Sequence, residues 1–153
     1  MTVVVEPQGR VSAWLLERIH YVPTAGFVAF GQYSESKRRL IGAVGFDNWS
    51  PASAEMHCAG DPGWLTKELL FKAFYYPFVL GGVKVVIARV GSSNAEALRF
   101  DTRIGFVEQC RIPDAWDGGE DLVILALHKD NCKWLNMKNT EKYCVKQKEQ
   151  HCG

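Results

Sequence analysis

Residues 64–90 contain the pattern that most constrains the fold: a helix that is apolar on nearly every side, followed by a strand. The stretch from Trp64 to Leu80 has one narrow stripe of charged side chains, formed by Lys67, Glu68 and Lys72. Such a helix is expected to be mostly buried. After two glycines that end it, Lys84–Val90 is β-branched and apolar, which is typical of a central strand. A buried helix beside a buried strand indicates layers of helix and sheet around one core.

Other apolar and β-branched runs, bounded by turn residues, predict six further strands, and two more stretches have helical character. The predicted strands are Val3–Val5, Phe27–Tyr33, Arg39–Phe46, Ala54–Cys58, Phe106–Ile112 and Leu122–His128, and the predicted helices are Ser12–Tyr21 and Asn94–Arg103. This order of elements predicts one mixed α/β domain over residues 1–128. Residues 129–153 are interpreted as a Lys-rich C-terminal extension, peripheral or partly disordered.

Composition excludes few functions but narrows the setting. The chain has 153 residues, enough for one domain with a sizeable core, and its formal net charge of +1 gives no reason to expect a nucleic-acid or membrane-surface partner. No signal peptide is expected, because Glu6 and Pro7 directly follow the N-terminal valines. Charged residues interrupt the most apolar stretch, which makes it a poor transmembrane candidate.

The cysteines favour a reducing compartment. There are five, with no CxxC pair, which suits a cytosolic protein better than a disulfide framework. Cys144, His151 and Cys152 lie near one another in sequence but lack the paired spacing of zinc sites. No metal site is therefore predicted.

The junction before the apolar helix suits an anion. Gly60-Asp61-Pro62-Gly63 leads from a strand into a helix N-terminus, where unpaired backbone N–H groups can bind a phosphate. The segment matches neither GxxxxGK[ST] nor GxGxxG, so the motif alone is weak.

Three segments resemble a known family. Within residues 93–106, Asn94, Ala97, Phe100, Gly105 and Phe106 match the second cofactor segment of the Gcn5-related N-acetyltransferases. The segment "GWLTKELLFKAFYYPF" and the later "HKDNCKWL" are similar to a branch of that family common in phages and prophages. The resemblance covers about residues 27–135. It implies a mixed, mostly antiparallel central sheet flanked by helices, with acetyl-CoA (coenzyme A) as cofactor and an amine as acceptor.

The resemblance also implies where the cofactor would bind. The residues it assigns to cofactor binding are Cys58, Gly60, Gly63, Trp64, Leu65, Thr66, Asn94 and Phe100. Most relatives carry Arg/Gln-x-x-Gly-x-Gly/Ala in the pyrophosphate loop, and this chain does not. Backbone N–H groups of the first helical turn, with the Thr66 hydroxyl, would bind the phosphates instead. Because the cationic side chain is missing, we expect a lower affinity for coenzyme A.

Three residues are candidates for proton transfer. Glu55 and His57 lie two apart on a predicted strand and share a face, so either could accept the amine proton. The alternatives are a solvated strand-edge carboxylate and a structural histidine. Asp101 occupies the place of the family's acidic tyrosine, four residues before Gly105, but could act only if burial raised its pKa. An exposed helix carboxylate is the favoured interpretation. Cys58 is not expected to act as a nucleophile.

Several aromatic and acidic residues leave two interpretations open. Asn94 could contact the cofactor or only satisfy N–H groups at the start of its helix. Trp64 could flank the cofactor or anchor its helix in the core. Trp49 and Trp116 fall in predicted loops, where large aromatics often line a cleft. Four acidic residues surround Trp116 and would suit an amine acceptor, although solvated loop carboxylates are favoured: Asp114, Asp117, Glu120 and Asp121.

These observations predict an acetyl-CoA-dependent N-acetyltransferase acting on an amine of a protein or small molecule. An alternative is a catalytically inactive binding or structural protein of a phage with the same fold. A third hypothesis, a nucleic-acid-directed phage factor, depends on the C-terminal extension, whose six lysines against three acidic residues leave only about +3. If the gene is phage-encoded, the protein is expected in the bacterial host cytoplasm, and a homodimer is possible.

Overall fold

A computed structural model describes residues 1–5 and 8–136, with Gln8 described by its backbone alone. The strands are β1 (Thr2–Val4), β2 (Val28–Ser34), β3 (Arg39–Asp47), β4 (Ser53–Gly60), β5 (Val85–Gly91), β6 (Val107–Trp116) and β7 (Glu120–His128). The helices are α1 (Gln8–Ile19), α2 (Lys67–Tyr75) and α3 (Ala95–Ile104). A π-helical turn, Tyr76–Leu80, continues α2, and 3₁₀ turns cover Asp117–Gly119, Lys129–Asn131 and Lys133–Asn136.

All the strands form one mixed sheet in the order β1-β2-β3-β4-β5-β7-β6. Every neighbouring pair is antiparallel except β4 and β5, which are parallel. The predicted fold class, a mostly antiparallel sheet flanked by helices, is confirmed.

The two faces of the sheet carry different helices. Helix α1 packs on one face through Val11 and Leu15, which join a small apolar cluster. Helix α2 packs on the other face, where its residues 69, 70, 73 and 74 are buried in the main core, which α3 joins through Ile104. The expectation of a mostly buried central helix is therefore correct. Among the described residues no helix is long and apolar enough to cross a membrane.

The start of α2 and its charged stripe differ from the predictions. The helix begins at Lys67 rather than Trp64, because Thr66 is extended and its hydroxyl caps the helix by accepting a hydrogen bond from the Leu69 N–H. Lys72, expected to face water, is 3% exposed. Its ammonium lies 3.2 Å from the Glu68 carboxylate, and residues 133–136 pack on the helix.

Strands β4 and β5 separate part-way along their length. They pair only where Ser53–Glu55 faces Val85–Ile87. Beyond that point β4 stays bonded to β3 as far as Gly60, and β5 stays bonded to β7 as far as Gly91. The two strands thus follow different neighbours, and a gap opens through the middle of the sheet.

The predicted extension is described only as far as residue 136. Within it, Cys132 is 1% exposed, and the Trp134 indole N–H donates to the Ile104 carbonyl over 2.8 Å. Residues 137–153, including Cys144, His151 and Cys152, lie outside the described residues. The division at residue 128 stays a prediction.

Candidate active site

A cleft of about 460 Å³ occupies the gap between β4 and β5. This volume falls within the roughly 300–1,000 Å³ of small-molecule sites. Because successive strand residues point to opposite faces, the cleft is lined from both sides of the sheet. Arg18, His57 and Arg89 line it on the α1 face, and a second set lines it on the α2–α3 face: Cys58, Gly60, Trp64, Asn94, Phe100 and Asp101.

Trp64 and Phe100 form an aromatic wall of this cleft. Their rings are stacked, with centroids 5.7 Å apart and planes at 19°. The indole lies flat on Gly42 and Gly60, which face each other across β3 and β4. A Cβ at either glycine would lie within 2.2 Å of an indole atom. Trp64 therefore fulfils both interpretations, since it is 8% exposed in the core and also lines the cleft.

Asp101 is the buried acid of the cleft. It is 4% exposed, so the favoured interpretation of an exposed helix carboxylate is wrong. Burial raises its pKa to about 7, which leaves a large share of the carboxyl groups protonated near neutral pH. The reason is tertiary: α3 lies over the gap and turns this side chain inward. Burial, and then the Asp101 charge, raise the pKa of the nearby Cys58 thiol, so Cys58 is not a nucleophile poised as thiolate.

His57 lies on the opposite face of the cleft and is held by an aromatic contact. Its ring stacks on Tyr21 with centroids 4.1 Å apart. Burial lowers its pKa, an effect that Glu55 and Asp47 oppose and Arg89 reinforces. The imidazole is therefore neutral at pH 7. Within the described part of the chain, its Nε2 is buried without a hydrogen-bond partner.

Glu55 is not the solvated edge carboxylate that was considered, since β4 is an inner strand and the residue is 8% exposed. One carboxylate oxygen accepts a hydrogen bond from the Asn48 amide, and the other lies 3.5 Å from Nε of Arg89. Glu55 is not among the residues that line the cleft. Its place is beside His57, as a charge that favours the protonated imidazole.

A second buried carboxylate, Asp47, anchors the loop that carries Tyr21. It accepts hydrogen bonds from the Tyr21 hydroxyl over 2.9 Å, from the Thr24 N–H over 2.8 Å and from the Thr24 hydroxyl. Burial alone would raise the pKa of Asp47, but these hydrogen bonds outweigh it and lower the pKa. Burial and the bond to Asp47 raise the pKa of Tyr21 to about 12. The loop that supports His57 is thus tied to β3, which nothing in the sequence indicated.

The predicted phosphate loop is folded, but its hydroxyl is occupied. The Thr66 side chain donates to Oε1 of Gln32 over 2.7 Å and accepts from the Leu69 N–H, so it has no proton left for a phosphate. Asp61 carries a negative charge into the loop, and Nη1 of Arg39 lies 2.7 Å from its carboxylate. Gly63, Leu65 and Thr66 are not among the residues that line the cleft.

The remaining candidates divide. Oδ1 of the Asn94 side chain accepts a hydrogen bond from the Ala97 N–H as a helix cap, and the residue also lines the cleft. Trp116 lines the cleft too, but as the end of β6 packed on Gly91 rather than in a loop. Trp49 lines a separate apolar groove with Tyr76. The acidic acceptor cleft is not formed, because none of the four residues considered for it lines the cleft: Asp114, Asp117, Glu120 and Asp121.

Solved structures share this architecture over nearly the whole chain. A mutant of spermidine N-acetyltransferase from Vibrio cholerae superimposes with a TM-score of 0.67 at 16% identity, covering 89% of this chain and 98% of that one. The same enzyme in complex with CoA and spermine gives 0.66 at 16% identity, over 88% and 98%. This chain has the N-acetyltransferase fold. No protein-family model matches the sequence, and no curated protein does. The likeness to a phage branch stays a prediction.

Within this N-acetyltransferase fold, the structure gathers most of the predicted residues at one place. His57 and Asp101 of the catalytic set line the cleft, as do five of the cofactor set: Cys58, Gly60, Trp64, Asn94 and Phe100. Sequence reasoning missed Arg18 and Arg89, which also line it. They are far apart in the chain and belong to no motif, so only the fold brings them together.

Proposed function

We propose that the protein is an acetyl-CoA-dependent N-acetyltransferase that acts on an amine. The observation that carries this proposal is the pairing of two proton-transfer groups across the β4–β5 gap. His57, whose pKa is lowered, lines one face, and Asp101, whose pKa is raised to about 7, lines the other. Two titratable groups whose surroundings shift their pKa values in opposite directions suit a base and an acid of one reaction.

Transfer of an acetyl group from a thioester to an amine needs few protein groups. Bound acetyl-CoA supplies the thioester, whose carbonyl carbon bonds to the amine nitrogen as the carbon–sulfur bond breaks. The neutral imidazole of His57 accepts the proton that the amine loses, directly or through a water molecule. The protonated carboxyl of Asp101 donates its proton to the departing sulfur. Glu55 favours the imidazolium that forms on His57.

The α2–α3 face of the cleft fits the thioester end of acetyl-CoA. The edge of β4 from Met56 to Gly60 has no ladder partner on the β5 side, so it can bond a ligand chain lying in the gap. Trp64 and Phe100 supply an apolar wall, and Asn94 lines the same cleft. We expect the phosphates to bind at the first turn of α2, which includes the exposed Lys67.

Calorimetric titration with acetyl-CoA tests this proposal, with desulfo-CoA and ADP as controls. We expect micromolar binding that requires the pantetheine arm, so that ADP alone binds much more weakly. Absence of heat and of thermal stabilisation at millimolar acetyl-CoA would refute the proposal. That result would favour a binding protein that keeps the fold without its chemistry, and protein partners would then be sought.

A further inference from the structure

We propose that the acceptor carries an anionic group, a carboxylate or a phosphate, close to the amine that is acetylated, and that Arg18 and Arg89 bind this group. The inference rests on the proposed function and specifies its substrate class. It sets this chain apart from an enzyme for a polycation such as spermine.

The two arginines face the acceptor side of the cleft. His57, the proposed base, lies on the α1 face, so the amine must reach it from that face. Arg18 of α1 and Arg89 of β5 line the cleft there, and their side chains are 40% and 48% exposed. A cationic acceptor would meet two guanidinium groups at this entrance, whereas an anionic one would meet matching donors.

Glu17 on α1 pairs with Arg18, since its carboxylate lies 3.7 Å from Nη1, but the Glu17 side chain is 76% exposed and does not line the cleft, so this pair contributes little. The buried carboxylates of this face do not offset the arginines toward a ligand. Asp47 is 0% exposed and holds Tyr21 and Thr24, and Glu55 is 8% exposed beneath Asn48 and Arg89. Neither is among the residues that line the cleft. Nε of Arg89 lies 3.5 Å from the Glu55 carboxylate, and the Arg89 side chain stays 48% exposed. On the described wall of the cleft the carboxylates are Asp101 and Glu96. Both belong to α3, on the opposite face.

The position of Arg89 relative to His57 indicates how close the anionic group of the acceptor lies to its amine. Glu55 pairs with Ile87 in the parallel ladder, so two residues further on His57 and Arg89 lie level across the gap. Both side chains point to the same face, and the charge of Arg89 affects the imidazole. An anion bound by Arg89 therefore lies beside the amine bound at His57. Amino acids and short aminoalkyl phosphates have this arrangement.

Arg18 is held in place for binding. Its guanidinium carbon lies 3.7 Å from the centroid of the Trp14 ring, and Nη1 donates to the Trp14 carbonyl over 2.7 Å. The group is thus fixed in direction while the side chain stays 40% exposed. A preorganised guanidinium loses less conformational freedom when it binds an anion.

Acetylation assays with matched acceptor pairs test the inference once acetyl-CoA binding has been measured. The acceptors are the common amino acids against their amides, aminoethyl phosphate against ethanolamine, and spermidine and spermine. We expect kcat/KM to be about 10- to 100-fold higher for the anionic member of the preferred pair. The neutral member cannot form the charged hydrogen bonds to the two arginines. The amino-acid and phosphate arms identify which anion is used.

Arginine variants locate the effect. Arg18→Gln should reduce the preference for the anionic member over the neutral member by about tenfold or more. Arg89→Lys keeps a positive charge beside Glu55 and should therefore lose only part of the preference for the anionic member. Arg111→Gln is the matched control, since Arg111 is a half-exposed, ion-paired arginine on β6 outside the cleft. It should preserve the preference.

The outcomes separate this inference from the proposed function. Acetyl-CoA binding with spermidine or spermine as the best acceptor would overturn the acceptor class and leave the acetyltransferase standing. The acceptor class would also be overturned if acetyl-CoA binds but no anionic acceptor is acetylated. An unchanged preference for the anionic member in Arg18→Gln would overturn it as well. No binding of acetyl-CoA would overturn both.

Discussion

The indole of Trp64 lies between Phe100 on one side and the paired glycines Gly42 and Gly60 on the other. This arrangement fixes the wall of the cleft without a motif. The loop before α2 places the indole, two cross-strand glycines make room for it, and α3 supplies the ring that covers it.

Gly60→Ala is expected to disturb this wall. The new Cβ would lie 2.2 Å from Cγ of Trp64, so the indole must move and its stack on Phe100 must loosen. Overpacking of this kind costs about 1–3 kcal/mol in the free energy of unfolding, which urea denaturation measures. Gly9→Ala is the control, since nothing lies within 4 Å of the added carbon and a helical alanine should stabilise slightly. Equal stability of Gly60→Ala and the wild type would show that the indole is not confined there.

Asp101→Asn is expected to change how stability depends on pH. The pKa of Asp101 is raised by burial from 3.8 to about 7, so the folded protein holds this proton more tightly than the unfolded chain. Its contribution is complete below pH 3.8 and is lost as the pH rises toward 7. Relative to Asp101→Asn, the wild type should lose up to about 4 kcal/mol across that range. Unfolding in urea at a series of pH values measures the difference.

An exposed carboxylate provides the control for that experiment. Asp117→Asn, in the turn between β6 and β7, should keep the pH dependence of the wild type. If Asp101→Asn also keeps it, the carboxyl of Asp101 is ionised at neutral pH and cannot act as the proposed acid.

The fold could be predicted because its signals are local. Gly105, two residues after the predicted helix Asn94–Arg103, ends α3 at φ 118°, with its N–H bonded to the Asp101 and Thr102 carbonyls. The predicted strands and helices agree with β1–β7 and α1–α3 to within about five residues at each end, whereas the 3₁₀ turns were not predicted. The start of α2 differs from the prediction because the capping preference of Thr66 outweighs the apolar residues before it.

The chemistry of the site could be predicted only in part, because it depends on tertiary burial. Asp101 lies on a helix whose sequence is polar enough to suggest exposure, and only the position of α3 over the gap buries it. Arg18 and Arg89 come from different elements and share no pattern. Glu55 and His57 were correctly placed on one strand face. The alternation could not show that Asn48 and Arg89 would bind the carboxylate and leave the imidazole free.

The pH profile of kcat should distinguish His57 from Glu55 as the base. His57 must be neutral and Asp101 protonated, so kcat should rise through the lowered pKa of His57 and fall again above about pH 7. His57→Gln should lower kcat by about 10²- to 10⁴-fold. Glu55→Gln should keep most of kcat and move the acidic limb to lower pH, because Glu55 raises the pKa of His57. An equal loss of kcat in the two variants would instead identify Glu55 as the base.

Asp61→Asn is expected to tighten acetyl-CoA binding, although it introduces no cationic side chain. Asp61 places a carboxylate in the loop that would meet the pyrophosphate, and it engages Arg39 at 2.7 Å. Its backbone N–H and carbonyl, bonded to Ile41 and Trp64, already hold the loop. Replacing the carboxylate removes a repulsion and releases a guanidinium. Since this ion pair is partly exposed, we expect a gain of about 2- to 10-fold in affinity at low salt, shrinking as salt is added.

Arg39→Gln should weaken binding by a similar factor, because it leaves Asp61 uncompensated. Calorimetry on both variants measures the two effects, and a shift in the same direction for both would show that this pair lies outside the phosphate site.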